Sequence, residues 1–138
     1  MKRYEQFSHT ADIGLRVFGK DLKELFENAA FAMFDTIADL EGLKGDLEER
    51  FELEAQNPEE LLIAWLDELL YNFYTKQIIF FKFQIEELTD TRIKAKALGR
   101  LVGSNRNRLK TEIKAATYHD LKIQKIPEGC QVDIIFDV

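Results

Sequence analysis

The sequence predicts an α+β domain in which a largely antiparallel β-sheet packs against two α-helices. Three observations predict it. Two segments place apolar residues at three- and four-residue spacing behind recognisable caps. Several others alternate apolar and polar residues, as half-buried strands do. After the second helix these alternating segments follow one another with no helix between them, which favours an antiparallel meander over an alternating α/β fold. The chain has 138 residues, 46% of them hydrophobic, with 11 Phe and no low-complexity linker or internal repeat. A single domain over 1–138 is expected, large enough to bury roughly 65–70% of its unfolded surface without staples.

In chain order, a weak strand at 4–7 and a clearer one at 13–18 flank a polar segment. Asp21 then caps the first helix, with Glu24 completing a capping-box pattern, and Leu22, Leu25, Phe26, Ala29, Met33 and Ile37 form its buried stripe. Residues 38–50 are acidic and polar and read as a loop, followed by a strand at 51–54. The second helix opens on Asn57-Pro58-Glu59-Glu60, a cap, a first-turn proline and acids at the positive end of the dipole. Its stripe is Leu62, Trp65, Leu66, Leu69, Leu70 and Phe73. Strands are expected at 79–85 and around Ile93, Ala95 and Ala97. Others are expected at 109–115, at 121–124 and from Val132 to the last residue, Val138.

Charge and composition exclude several functions. Met1-Lys2-Arg3-Tyr4-Glu5 turns polar at once, so no signal peptide is expected, and the apolar run at 78–83 is too short to span a bilayer. One cysteine, Cys130, allows no internal disulfide, and its place at a turn-to-strand junction reads as packing. With only two histidines beside it, a structural zinc site is implausible, and a cytoplasmic protein is expected. The net charge of −6 disfavours nonspecific adhesion to nucleic acid or acidic membranes. Residues 99–114 run against that balance, carrying Arg100, Arg106, Arg108, Lys110 and Lys114 against Glu112 alone, which suggests a partner-facing loop.

Three segments could carry chemistry. Ser8-His9-Thr10-Ala11-Asp12 is mostly polar between two strands. It is either a connecting turn in which Asp12 bonds its own backbone, or a site lined by His9, Thr10 and Asp12. At the other end, Asp137 stands beside the α-carboxylate of Val138. If the last strand stays ordered, these two negative groups repel unless a cation or donor relieves them; the alternative is a frayed, solvated tail. The third segment runs from Thr111 to His119, where Glu112 and Lys114 share one strand face. A solvated charge pair there would contribute little.

At these residues the chain resembles a known family. His9-Thr10-Ala11-Asp12-Ile13-Gly14, the helix block LIAWLDELLY at 62–71, EIKAATYH at 112–119 and the ending Phe136-Asp137-Val138 look like the blocks of the archease family, in the family's order and spanning essentially the whole chain. The resemblance implies a sheet with two helices and an accessory role without catalysis of its own. Archeases assist the GTP-dependent RNA-splicing ligase that joins ends carrying 2′,3′-cyclic or 3′-phosphates, as in tRNA splicing, promoting its guanylation and repeated turnover. RNA would then be met only indirectly, through the ligase.

The resemblance also implies a divalent-cation site formed by Asp12, Asp137 and the terminal carboxylate at Val138. His9, Thr10, Glu112, Lys114 and His119 would be supporting or partner-contact residues. An all-oxygen ligand set suits Ca²⁺ or Mg²⁺ better than Zn²⁺. The chain departs from the family pattern at Ser8, usually acidic, at Gly99-Arg100, usually Gly-Glu, and at Asn107, often histidine. Two other readings remain: a metal-dependent hydrolase using Asp12 and Asp137 with His9 or His119 as acid or base, and a weak RNA-binding module built on 99–114. The first lacks an accompanying nucleophile or phosphate-binding glycine loop, and the second lacks interleaved aromatics.

Overall fold

The predicted α+β architecture is present, with its strands divided between two antiparallel sheets. The computed structural model describes residues 1–9 and 11–138, His9 through its backbone alone. In chain order the elements are β1 (Tyr4–His9), β2 (Asp12–Gly19), α1 (Leu22–Ile37), β3 (Leu47–Glu54), α2 (Pro58–Lys76), β4 (Ile78–Leu88), β5 (Arg92–Leu101), a 3-10 helix (Gly103–Arg108), β6 (Ala115–Thr117), β7 (Gln124–Ile126) and β8 (Gly129–Asp137). The larger sheet has the order β1-β2-β8-β6, with β7 pairing β8 as well, and the smaller has the order β3-β5-β4. β8 is therefore an interior strand, held between β2 on one side and the short strands β6 and β7 on the other.

Both helices start where their caps predict. Asp21 Oδ1 accepts the Glu24 N–H at 2.8 Å, and Glu24 Oε1 accepts the Lys20 N–H at 3.0 Å. Asn57 Oδ1 likewise accepts the Glu60 N–H at 2.9 Å, with Pro58 in the first turn. Each such cap contributes about 1 kcal/mol. The apolar stripes of both helices and the inner faces of both sheets meet in one buried cluster. Trp65 lies at its centre, fully buried, and its indole N–H donates to the Phe26 carbonyl at 3.1 Å, which ties α2 to α1. No helix among the described residues is long and apolar enough to cross a membrane.

The larger sheet closes on itself tightly at one glycine. Gly129 opens β8 at φ +151°, and a Cβ there would stand 2.2 Å from the Gly19 carbonyl oxygen. Cys130 follows, buried, with its thiol 3.5 Å from that same oxygen. Burial first, and then the nearby acids Asp21 and Glu24, push the thiol pKa up, so Cys130 is a packing residue.

Two strands expected at 109–115 and 121–124 are displaced, each observed strand starting at the last expected residue and running past it. Pairing is confined to Ala115–Thr117 and Gln124–Ile126. Before β6 the chain is fixed by separate contacts: Leu109 bridges Ala38, the Lys110 N–H donates to the Ile37 carbonyl, and the Tyr74 hydroxyl donates to the Ile113 carbonyl at 2.6 Å. Leu109 is half-buried and Ile113 fully so, and their spacing marks an inward face without a strand partner. In the other direction, β3 begins at Leu47, inside the expected loop. Its acids reach diagonally to the cations of β5, Glu48 meeting Lys96 and Glu52 meeting Arg92.

Candidate functional site

The strands β2 and β8 pair in a register that includes Arg16↔Asp133, Gly14↔Ile135 and Ile13↔Phe136. Leu15, Val17, Ile134 and Phe136 face the core, so Gly14, Arg16, Asp133 and Ile135 face outward. Across that outer face the rows differ in character. In one, Arg16 forms a two-pronged pair with Asp133, Nε to Oδ1 at 2.8 Å and Nη2 to Oδ2 at 3.0 Å. In the next, the Phe7 ring lies over Gly14, where a Cβ would stand 2.4 Å from a ring carbon.

One row further on, the same register and parity bring together Asp12, the first residue of β2, and Asp137, the last of β8. The row is continued by the His9 backbone on β1, opposite Asp12, and by Ala115 on β6, opposite Asp137. Carried one pair past Ile13↔Phe136, the register thus sets the two aspartates opposite each other on adjacent strands. Like charges so placed destabilise a sheet by some tenths of a kcal/mol up to about 1 kcal/mol.

Lys114 borders this row. Its backbone N–H donates to the Asp137 carbonyl at 2.8 Å, and its exposed side chain leaves the chain just before β6. Two α2 residues hold the segment in place. Asp67 Oδ1 accepts the Ala116 N–H at 2.9 Å, and the Tyr74 hydroxyl grips the Ile113 carbonyl. Burial pushes the Asp67 pKa up, with the Ala116 hydrogen bond pulling the other way. Burial also raises the Tyr74 pKa, helped by the charge of Glu112. Neither residue stands out in the sequence, because both sit in an amphipathic helix. The one available signal was an acid, Asp67, enclosed by Leu66, Leu69 and Leu70.

The structure therefore brings together Asp12, Asp137, Lys114 and the adjoining, exposed Val138. Glu112 lies two residues earlier, on the rim of a neighbouring cleft. His119 lies in the turn after β6, where its Nε2 is 3.4 Å from Asp120 Oδ2. Thr10 and the His9 side chain lie outside the described residues. Of the departures from the family pattern, Arg100 donates to the Lys44 carbonyl at 3.1 Å, and Ser8 and Asn107 are exposed.

Among the described residues no group of three His, Cys, Asp or Glu side chains gathers to hold a metal ion. Among the described residues, Asp12 and Asp137 are the carboxylates that an ion at the acidic row would meet. A hard cation fits such a donor set, and it would offset the Asp12–Asp137 repulsion.

The profile of the archease protein family (MTH1598/TM1083) matches residues 4–138. The chain belongs to the archease family. The archease of Methanosarcina mazei is 40% identical over 141 residues, covering 99% of this chain and 97% of that one. The archease of Pyrococcus abyssi is 39% identical over 132 residues, covering 94% and 93%. The solution structure of Methanobacterium thermoautotrophicum protein 1598 shares the archease fold over the full length of both chains, with a TM-score of 0.80 and 33% identity. The crystal structure of the Thermotoga maritima archease, described as a possible chaperone, matches with a TM-score of 0.67 at 20% identity, and so shows the fold alone.

Proposed function

We propose that this archease is an accessory protein that activates a GTP-dependent RNA ligase, promoting ligase guanylation and repeated turnover on RNA ends carrying 2′,3′-cyclic or 3′-phosphates. The observation that carries the reading is the acidic row. Arg16 and Asp133 pair as opposite charges, and two outward rows further on, four residues along each strand, the same register sets Asp12 opposite Asp137 with Lys114 alongside. Like charges directly opposite each other on paired strands are mutually unfavourable. Asp12, Asp137 and, where the polypeptide ends at Val138, its terminal carboxylate would hold Ca²⁺ or Mg²⁺. The ion would supply positive charge and open coordination positions for oxygens of a partner.

Asp12 pairs with His9 on β1 and Asp137 with Ala115 on β6, each at the end of a strand that is paired on both flanks from the next residue inward. Lys114 adds a mobile cation suited to an acidic or phosphorylated group on the ligase. The chemistry is assigned to the ligase. The test is label transfer from GTP to purified ligase, with and without this chain, followed by multiple-turnover joining of RNA ends. Stimulation of both steps is expected. Joining or hydrolysis of RNA ends by this chain alone would overturn the reading.

A further inference from the structure

Of the five cations in 99–114, two are used by the fold. Arg100 donates to the Lys44 carbonyl, and Arg108 Nη1 donates to the Asp39 and Glu41 carbonyls at 3.0 and 2.7 Å. Both thereby pin the 39–46 loop. Arg106 and Lys110 are different: among the described residues neither side chain has a hydrogen-bond or ion-pair partner. Both stand on the rim of a cleft of about 310 Å³ between the C-terminal turns of the two helices and the 102–112 segment. Its floor is apolar, formed in part by Val102 and Leu109.

One wall is aromatic. The Tyr74 ring is 39% exposed, yet it is fixed at both ends. Its hydroxyl is tied to the Ile113 carbonyl at 2.6 Å, and its ring packs edge-on against Phe73 with centroids 5.0 Å apart. A flat apolar surface, an immobilised ring and two unpaired cations are what a single nucleic-acid strand requires, a plate for the base and charge for its phosphate. The 99–114 stretch contains no aromatic residue of its own. Folding supplies one from α2.

We propose that this cleft binds one nucleotide of single-stranded RNA, with the base against Tyr74 and the apolar floor and the backbone phosphate on Arg106 and Lys110. The Arg106 guanidinium presents paired donors that match a phosphate, and Lys110 adds a point charge. An acidic peptide would satisfy the cations but leave the floor and ring without a flat partner. Glu112, also on the rim, disfavours ligands that bring carboxylates alone and is placed to accept hydrogen bonds from base amino groups. A polymer is favoured over a free nucleotide because Lys114, likewise unpartnered, continues the line of cations from Lys110 toward the acidic row. The site goes beyond ligase activation, since it places RNA directly on this chain.

The test is fluorescence anisotropy of a short labelled single-stranded RNA titrated with the whole chain, without ligase, across a range of salt. Saturable, salt-sensitive binding is expected. Arg106→Ala with Lys110→Ala should weaken it at least about tenfold and flatten the log–log salt slope by about 0.7, the value for one lost phosphate contact on a single strand. Tyr74→Leu, scored only if its melting is near wild type, should weaken binding about tenfold while leaving the slope unchanged. Lys94→Ala, on the smaller sheet, should change nothing. Absence of saturable binding, full affinity in the double variant, equal affinity for duplex RNA, or displacement by adenosine monophosphate at RNA-like concentration would each overturn the proposal. None of these results bears on the guanylation assay, which reads the ligase.

Discussion

Asp67 offers a way to separate a hydrogen bond from a charge. Its carboxylate is half-buried and accepts the Ala116 N–H at 2.9 Å, the link that holds β6 to α2. Asp67→Ala strands that N–H, a loss of about 1–3 kcal/mol. For 138 residues the unfolding entropy is roughly 0.29 kcal/mol/K, so Tm should fall by roughly 3–10 °C. Asp67→Asn keeps an oxygen acceptor in the same place and removes the charge that burial disfavours. The Asn variant should therefore melt at or above wild type at neutral pH.

The sign of the pH dependence follows from the raised pKa. The folded state holds the Asp67 proton more tightly than the unfolded chain does, so Asp67 favours folding below the ordinary aspartate range. That contribution is lost as pH rises through the raised value. The Asn variant's advantage over wild type should therefore appear across that window and persist above it. Thermal melts of the three proteins from acid to neutral pH, paired with the guanylation assay, measure both effects. An Asn variant as unstable as the Ala variant would show that the charge is what matters, and an Ala variant melting like wild type would show that β6 does not depend on this bond.

Four further outcomes are expected. Trp65→Ala should cost about 3–5 kcal/mol and impair activation only through loss of folded protein; a well-folded but inactive variant would place Trp65 at a partner surface instead of the core. Asp12→Ala should abolish ligase activation with little change in melting, because it relieves a like-charge neighbour, and full activation by the folded variant would remove Asp12 from the site. Lys114→Ala should reduce activation more than Lys94→Ala, and equal small losses in a turnover assay would return Lys114 to an ordinary solvated face. A tag placed after Val138, or Asp137→Asn, should weaken Ca²⁺ or Mg²⁺ binding in calorimetric titration, whereas a tag before Met1 should not. That affinity should also fall with acidity, since the carboxylates bind only when deprotonated.

The helices were readable because each begins with a local device, Asp21 with Glu24 and Asn57 with Pro58, that the structure reproduces, with Glu24 reaching the N–H of Lys20 one residue before the cap. The strands were readable as faces but not as partners. Alternation at 109–115 reports that Leu109 and Ile113 turn inward, and an extended segment clamped by Tyr74 satisfies that pattern as well as a ladder does. For the same reason nothing in the pattern says that β3, β4 and β5 leave the larger sheet. Asp12 and Asp137 could each be singled out by type and position, but their adjacency depends on the β2–β8 register. Asp67 and Tyr74 act through backbone groups on another element, Ala116 and Ile113, and such contacts have no signature in spacing.

The place of β8 between β2 and β6 has a consequence for the order of events in the cell. β1 and β2 are synthesised before β8, so the larger sheet cannot close until β8 has left the ribosome. Pairings such as Ile13↔Phe136 make this half of the molecule slow to assemble compared with the β4–β5 hairpin. Meanwhile β2 presents an open edge, the kind of surface on which nascent chains stick to one another. Asp12 and Asp137 become neighbours only at the moment that edge is covered. The acidic row is thus a mark of a finished molecule, which an incompletely folded chain cannot display to a partner.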